Sequence, residues 1–201
     1  MEPGASHDRQ LRREPPPVVH QYILLRCIGS GGYGEVWLAK SVMGAYCAVK
    51  VVYRDRFMEE RPFKRELRGI RLFEGISHSH EGLVNVLHVG IGEQESYFYY
   101  VMELADDLKS VRKINPDTYS PRTLMSDIKR QHRLPASECV KLGLALSKAL
   151  AALHKAGLVH RDIKPANIIF VNGAPKLADI GLVADVKEAI SRVGTSMGSD
   201  N

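Results

Sequence analysis

Apolar positions change their spacing several times along the chain, and each change marks an element. Tyr22-Ile23-Leu24-Leu25-Arg26-Cys27-Ile28 reads as a strand running into a glycine cluster, after which Glu35-Val36-Trp37-Leu38-Ala39 resumes the strand pattern. Gly44 marks a turn before a third β-rich run, Tyr46-Cys47-Ala48-Val49-Lys50-Val51-Val52. Over residues 61–76 the spacing becomes helical, with Phe63, Leu67, Ile70 and Phe73 on one face. Two more β-rich runs follow, over residues 83–91 and 97–102. Five strands and one helix are therefore predicted for the first hundred residues. Residues 106–133 are polar, interrupted by Pro116 and Pro121, and read as a long connection holding a short helix. Pro135 opens a helix over 135–156, with Cys139, Leu142, Leu146, Leu150 and Leu153 as its apolar stripe and Gly157 as its stop. Short β segments come last, at Leu158-Val159, Ile168-Ile169-Phe170 and Lys176-Leu177.

Composition changes this picture little. The chain has 201 residues, 44% hydrophobic and 25% charged, as a soluble globular domain does. The net charge of +5 is mild, and its basic residues are scattered, so no nucleic-acid partner is predicted. Cys27, Cys47 and Cys139 fit neither a disulfide framework nor a zinc pattern, which predicts reduced thiols and a cytoplasmic setting. His78, His80 and His88 have no cysteine or carboxylate cluster beside them and read as structural. No membrane segment is predicted within this chain, since no apolar run approaches the roughly 20 residues that span a bilayer. Residues 1–19, ending in a proline run, read as a disordered tail. The division predicted is this tail, an upper lobe over 20–104 and a lower lobe over 105–201, with the boundary falling in residues 103–107.

Three constellations carry chemistry. Gly29, Gly31 and Gly34 sit between two strands, where a backbone free of Cβ atoms can approach phosphate oxygens. A dinucleotide fingerprint would need a helix after them, and Val36-Trp37-Leu38 reads instead as a strand. Lys50 lies in an apolar strand and needs an anionic partner, because an unpaired buried charge is costly. Glu66, spaced three and four residues from Phe63 and Ile70, shares their inward face and is the candidate. The third is His160-Arg161-Asp162-Ile163-Lys164-Pro165-Ala166-Asn167, followed seventeen residues after Asp162 by Asp179-Ile180-Gly181.

With these motifs in this order and at these distances, residues from about 20 to 201 resemble the eukaryotic-type serine/threonine protein kinase family, and the short linkers suggest a bacterial member. The resemblance implies an α+β, bilobal protein-kinase-like fold. Its upper lobe would hold a five-stranded antiparallel sheet and one helix, and its lower lobe would be mainly helical and incomplete. It implies ATP and Mg²⁺ as cofactors and proteins bearing serine or threonine as substrates. Asp162 would orient or accept the proton of the substrate hydroxyl, and Lys164 would offset charge on the transferring phosphoryl group. Asn167 and Asp179 would hold Mg²⁺, Lys50 would grip the phosphates, and Glu66 would position Lys50. Ile28, Val36 and Ala48 would roof the adenine pocket and Ile169 would floor it, with Met102 as gatekeeper and the backbone of Glu103 and Ala105 as hinge. Lysine at 164 is the serine/threonine form; tyrosine kinases usually place an arginine-containing pattern there. Small-molecule phosphotransferases of related fold usually read His-Gly-Asp, so that alternative is disfavoured by Arg161 and Lys164.

Two departures stand out. Ile180 replaces the family's usual phenylalanine, keeping the apolar contact with less area. Residues 182–201 resemble an activation segment, Gly194-Thr195 included, and Arg161 suggests control by phosphorylation at Thr195, Ser191 or Ser196. No Ala-Pro-Glu motif or later helix follows. Leaving Leu142, Leu146, Leu150 and Leu153 uncovered would forfeit at most on the order of 6–12 kcal/mol, against a typical domain stability of about 5–15 kcal/mol. The sequence alone thus predicts a lower lobe that folds poorly, and leaves a catalytically impaired nucleotide-binding or scaffold fragment as the alternative to an active kinase.

Overall fold

The computed structural model describes residues 16–110, 114–179 and 184–185. Five strands form one antiparallel sheet: β1 (Tyr22–Ser30), β2 (Gly34–Ser41), β3 (Tyr46–Tyr53), β4 (Val86–Ile91) and β5 (Tyr97–Met102), in the spatial order β1-β2-β3-β5-β4. The β3 strand is central, and its residues Cys47, Val49, Val51 and Tyr53 pack with Trp37, Tyr97, Tyr99 and Val101 on one face of the sheet. Ala48 and Val52 pack on the other face with Phe63, Ile70 and Phe73 of α1 (Glu60–Glu74). That two-sided cover is why β3 reads as a near-continuous apolar run with Lys50 as its interruption. The helix follows the predicted face, and Glu66 is buried on it.

Two boundaries differ from the sequence pattern. The strand expected over 83–91 begins only at Val86, because the backbone just before it is committed elsewhere: Leu83 bridges Leu177, and the Val84 N–H donates to the Leu177 carbonyl at 3.0 Å. Val18 and Val19, expected within the tail over 1–19, are tied to the sheet. Val19 is buried in the outer cluster of the sheet, and the Val18 carbonyl accepts from the Tyr97 hydroxyl at 2.7 Å.

Below the sheet lie α2 (Leu124–Gln131) and α3 (Ala136–Lys155). Thr123 caps α2 through a reciprocal box with Ser126. Pro135 stands at the N-cap of α3, and Gly157, at φ +77°, takes the left-handed turn beyond its end. Of the expected stripe, Leu142 and Leu153 are buried and Leu146 and Leu150 partly so, whereas Cys139 is exposed and Ala149 is buried in its place. After α3 come β6 (Leu158–Val159), β7 (Ile168–Val171), β8 (Ala174–Leu177) and β9 (Ala184–Asp185). The β7 and β8 strands form a hairpin, and β6 pairs with β9. Leu158, Ile168 and Leu177 join the same core as α1 and β5, so the hairpin is seated directly beneath the sheet. Ile180, Ser191, Thr195 and Ser196 lie outside the described residues. No helix among the described residues is long and apolar enough to cross a membrane.

Candidate active site

The cleft between sheet and hairpin encloses a cavity of about 340 Å³. Its upper wall is Ile28 and Gly29 from β1, Val36 from β2 and Ala48 from β3, and Ile169 of β7 lies across from them. Met102, Glu103 and Ala105 form the rear edge, and Lys50, Asn167 and Asp179 the polar inner end. All the apolar pocket residues expected from the sequence therefore meet in one space. Gly31 and Gly34 stand apart from its lining, where the Gly31 N–H donates to the Gly34 carbonyl at 2.9 Å and closes the tight turn between β1 and β2.

Lys50 does not reach the partner predicted for it. Its ammonium bonds and pairs with Asp179, and no ion pair joins Lys50 to Glu66 among the described residues. Glu66 stays close enough for its charge to be felt. Burial pushes its carboxyl up to about 7, against the opposing pull of Lys50. Burial lowers the Lys50 pKa, but Tyr100, Asp179 and Glu66 outweigh it, so the ammonium is held above its ordinary value. Asp179 itself sits at φ +60°, in the left-handed region, as does Arg161 at +64°. Non-glycine residues in that region carry local strain, which collects at functional sites.

Asp162 lies just outside the cavity and is bound to its floor. Asn167 Nδ2 donates to Asp162 Oδ2 and to the Asp162 carbonyl, each at 2.9 Å, and Lys164 Nζ donates to Oδ2 at 2.7 Å. The Lys164 bond, supported by Asn167, holds the Asp162 carboxyl below the ordinary range, so it is ionised at neutral pH. His160 supports the loop from beneath. Its ring is buried, and burial lowers its pKa and keeps it neutral. Nδ1 accepts from the Asp162 N–H at 3.4 Å, which leaves the proton on Nε2 to donate to the Ala178 carbonyl at 3.1 Å. One neutral imidazole thus ties the Asp162 loop to the residue preceding Asp179.

The donor set suits a hard cation held against phosphates. With Nδ2 of Asn167 bound to Asp162, its amide oxygen is the group left to coordinate, and Asp179 offers carboxylate oxygen at the same end of the cavity. Two protein oxygens are few for a free-standing site. They match Mg²⁺, which keeps waters and substrate oxygens in its shell.

Several site residues carried no sequence signal. Tyr119, Pro121 and Thr123, from the long connection, line the cavity beside the hinge. Arg56, in the turn after β3, reaches back to the glycine loop: Nη1 donates to the Gly31 carbonyl at 2.8 Å, and Nη2 pairs with the fully buried Glu35 at 3.2 Å. Glu35 also accepts from Tyr53 at 2.9 Å and Trp37 at 3.2 Å. Arg56→Ala is expected to loosen the loop and weaken nucleotide binding roughly five-fold, the equivalent of one net hydrogen bond of about 1 kcal/mol. Titration calorimetry with ATP checks it. The Glu103 side chain is a further tie across the cleft, accepting from the Asn85 N–H at 2.7 Å and from Lys176 at 2.6 Å.

Comparison with known proteins agrees with this geometry. The family profile described as "Protein kinase domain" matches residues 22–199. The chain is 32% identical over 187 residues to a Clostridium perfringens protein named "Probable serine/threonine-protein kinase CPE1738", covering 90% of this chain and 24% of that one. It is 27% identical to the serine/threonine-protein kinase pkn2 of Myxococcus xanthus, covering 89% of this chain and 20% of that one. Against the serine/threonine-protein kinase PknA of Mycobacterium tuberculosis the identity is 30%, covering 89% and 39%. The chain therefore spans about a fifth to two fifths of the length of these curated relatives.

Proposed function

Since this chain belongs to the protein kinase family, we propose that it is an ATP- and Mg²⁺-dependent serine/threonine kinase that transfers the γ-phosphoryl group to hydroxyls of protein substrates in the cytoplasm. The observation that carries this reading is the convergence of Lys50, Asn167 and Asp179 at the inner end of an apolar cavity, with Asp162 one hydrogen bond away through Asn167.

In this reading the adenine ring enters between Val36 and Ile169 and meets the hinge. There the Ala105 N–H and the Glu103 carbonyl have no hydrogen-bond partner among the described residues. Lys50 binds the phosphates, and its Asp179 contact holds it at the inner end of the cavity until they do. Asn167 and Asp179 would hold Mg²⁺, which would supply charge neutralisation at the phosphate oxygens. Asp162, ionised and oriented by Asn167 and Lys164, accepts the proton of the attacking hydroxyl. Lys164, on the same carboxylate, is placed to offset charge developing on the transferred group. The division into an upper lobe ending at 104 and a lower lobe from 105 follows from the same reading, because the cavity lies between the two.

Phosphate transfer from ATP to a generic serine- and threonine-bearing protein, measured beside ATP binding, tests this. Binding without transfer, unchanged by Asp162→Ala, would replace the kinase with a nucleotide-binding scaffold. A pH profile adds a second check. Lys164 lowers the Asp162 pKa, and the active form is the carboxylate. Lys164→Ala is therefore expected to raise that pKa and move the acidic limb of kcat to higher pH, besides lowering the plateau. A limb that stays in place would mean that Asp162 is not the base.

A further inference from the structure

The connection from the hinge to α2 is built as a fixed part of the cavity wall. Both carboxylate oxygens of Asp106 accept backbone N–H groups of the β7–β8 turn, from Asn172 and Gly173, at 2.8 Å each. The two arms of the connection then zip together. Leu108 N–H donates to the Ser120 carbonyl at 2.8 Å, Ser120 N–H to Asp107 Oδ1 at 3.0 Å, and Arg122 N–H to the Asp106 carbonyl at 2.8 Å. This closure turns Tyr119 inward, where it is 2% exposed and lines the cavity beside Ala105. Its hydroxyl donates to the Ala105 carbonyl at 3.1 Å. From the opposite wall Arg26 of β1 fixes the same residue, donating to the Pro116 carbonyl at 3.0 Å and to the Tyr119 carbonyl. Ile28, two residues further along β1, is part of the roof.

We infer that Tyr119 is a specificity-determining residue that makes the cavity select adenine over guanine, by occupying the hinge carbonyl that a guanine base would need. The inference rests on the reading of the cavity as a purine nucleotide site. Adenine presents an acceptor, N1, beside a donor, the N6 amine, and these match the Ala105 N–H and the Glu103 carbonyl. Guanine reverses that edge: O6 accepts, while N1–H and the N2 amine donate. Facing the Ala105 N–H with O6 requires the base to slide along the hinge, which brings its N1–H and N2–H donors to the next acceptor, the Ala105 carbonyl. That carbonyl already accepts from the Tyr119 hydroxyl, and Arg26 holds the Tyr119 backbone in place through its own carbonyl. A carbonyl oxygen has two acceptor positions, and the Tyr119 hydroxyl fills one. Guanine would bring two donors to the one that remains, and a donor left unpaired in a buried site costs affinity.

The test is ATP and GTP binding to the full chain by titration calorimetry, with wild type beside Tyr119→Phe. Phenylalanine keeps the ring and releases the carbonyl. Wild type is expected to prefer ATP, and Tyr119→Phe to reduce that preference about ten-fold, the equivalent of about 1.4 kcal/mol, through tighter GTP binding. Tyr119→Leu removes ring and hydroxyl together; if the phenylalanine variant does not fold, the ratio of ATP to GTP affinity in the leucine variant, expected to fall in the same direction, carries the comparison. An ATP preference left intact by loss of the hydroxyl, or equal loss of both nucleotides, overturns the inference. So does a wild type that binds the two equally, although the nucleotide reading then stands. A wild type that binds neither overturns that reading and the inference with it.

Discussion

Asp162→Asn is expected to lower phosphate transfer by about 10²–10⁴-fold, the usual contribution of a positioned general base, while ATP affinity and folding stay as they are. Asparagine preserves the shape of the side chain and an oxygen that can accept from Asn167, so the loop keeps its geometry. What is lost is the negative charge that, in the proposed reaction, draws the proton from the attacking hydroxyl. Asp162 is not part of the cavity lining, so the nucleotide loses no contact. The ion pair with Lys164 is half exposed on the lysine side, at 51%, and such pairs contribute little to stability. Steady-state kinetics, calorimetry with ATP and a thermal melt on the same preparation separate the three quantities. A fall in ATP affinity matching the fall in rate would place Asp162 in binding rather than in chemistry. Asp179 is expected to differ, because its substitution removes the anchor of Lys50 and a cavity oxygen together.

The contrast between these two aspartates shows what the sequence could carry. Glycines at 29, 31 and 34, a lysine within β3 and the His160–Asn167 run are local patterns, and the fold brings Gly29, Lys50 and Asn167 from them to one cleft. The sheet and α1 were legible for the same reason: periods of two and of three to four residues leave a direct trace in residue type. Partner choice was less legible. Lys50 has two carboxylates within its electrostatic reach, Glu66 and Asp179, and only the placement of α1 relative to the hairpin decides which one it bonds. The connection to α2 was legible as a connection, but the ties that fix it left no trace. Arg26 and Tyr119 are separated by 93 residues, and neither stands in a repeating pattern. Their contact depends on Asp106 locking the arm to the β7–β8 turn through backbone groups, which residue type does not encode. Val19 was misread for a related cause. A short apolar pair after a proline run looks like tail, until the outer face of the sheet supplies Trp37 and Tyr97 to cover it.

Gly34→Ala is expected to damage the site far more than Gly31→Ala, although both belong to one glycine motif. A Cβ on Gly34 would lie 2.0 Å from the Val51 carbonyl oxygen and 3.0 Å from its carbon, which is backbone and cannot swing aside. A Cβ on Gly31 would meet nothing within 4 Å. Gly34 opens β2 opposite Val52, and two residues later Val36 pairs with Lys50. Relieving the clash therefore means prising β2 from β3 at the point where Val36 of the cavity roof and Lys50 are in register. Overpacking of this kind costs about 1–3 kcal/mol, which for a chain of this length lowers the melting temperature by roughly 2–12 °C. Nucleotide affinity should fall about ten-fold or more, since 1.4 kcal/mol of lost positioning is a factor of ten. Paired melts and ATP titrations of the two variants decide the matter. Equal losses would mean that Gly31 and Gly34 both serve close approach of the loop to phosphate. A loss confined to Gly34→Ala would mean that this glycine is required by the sheet, and that the turn tolerates a side chain at Gly31.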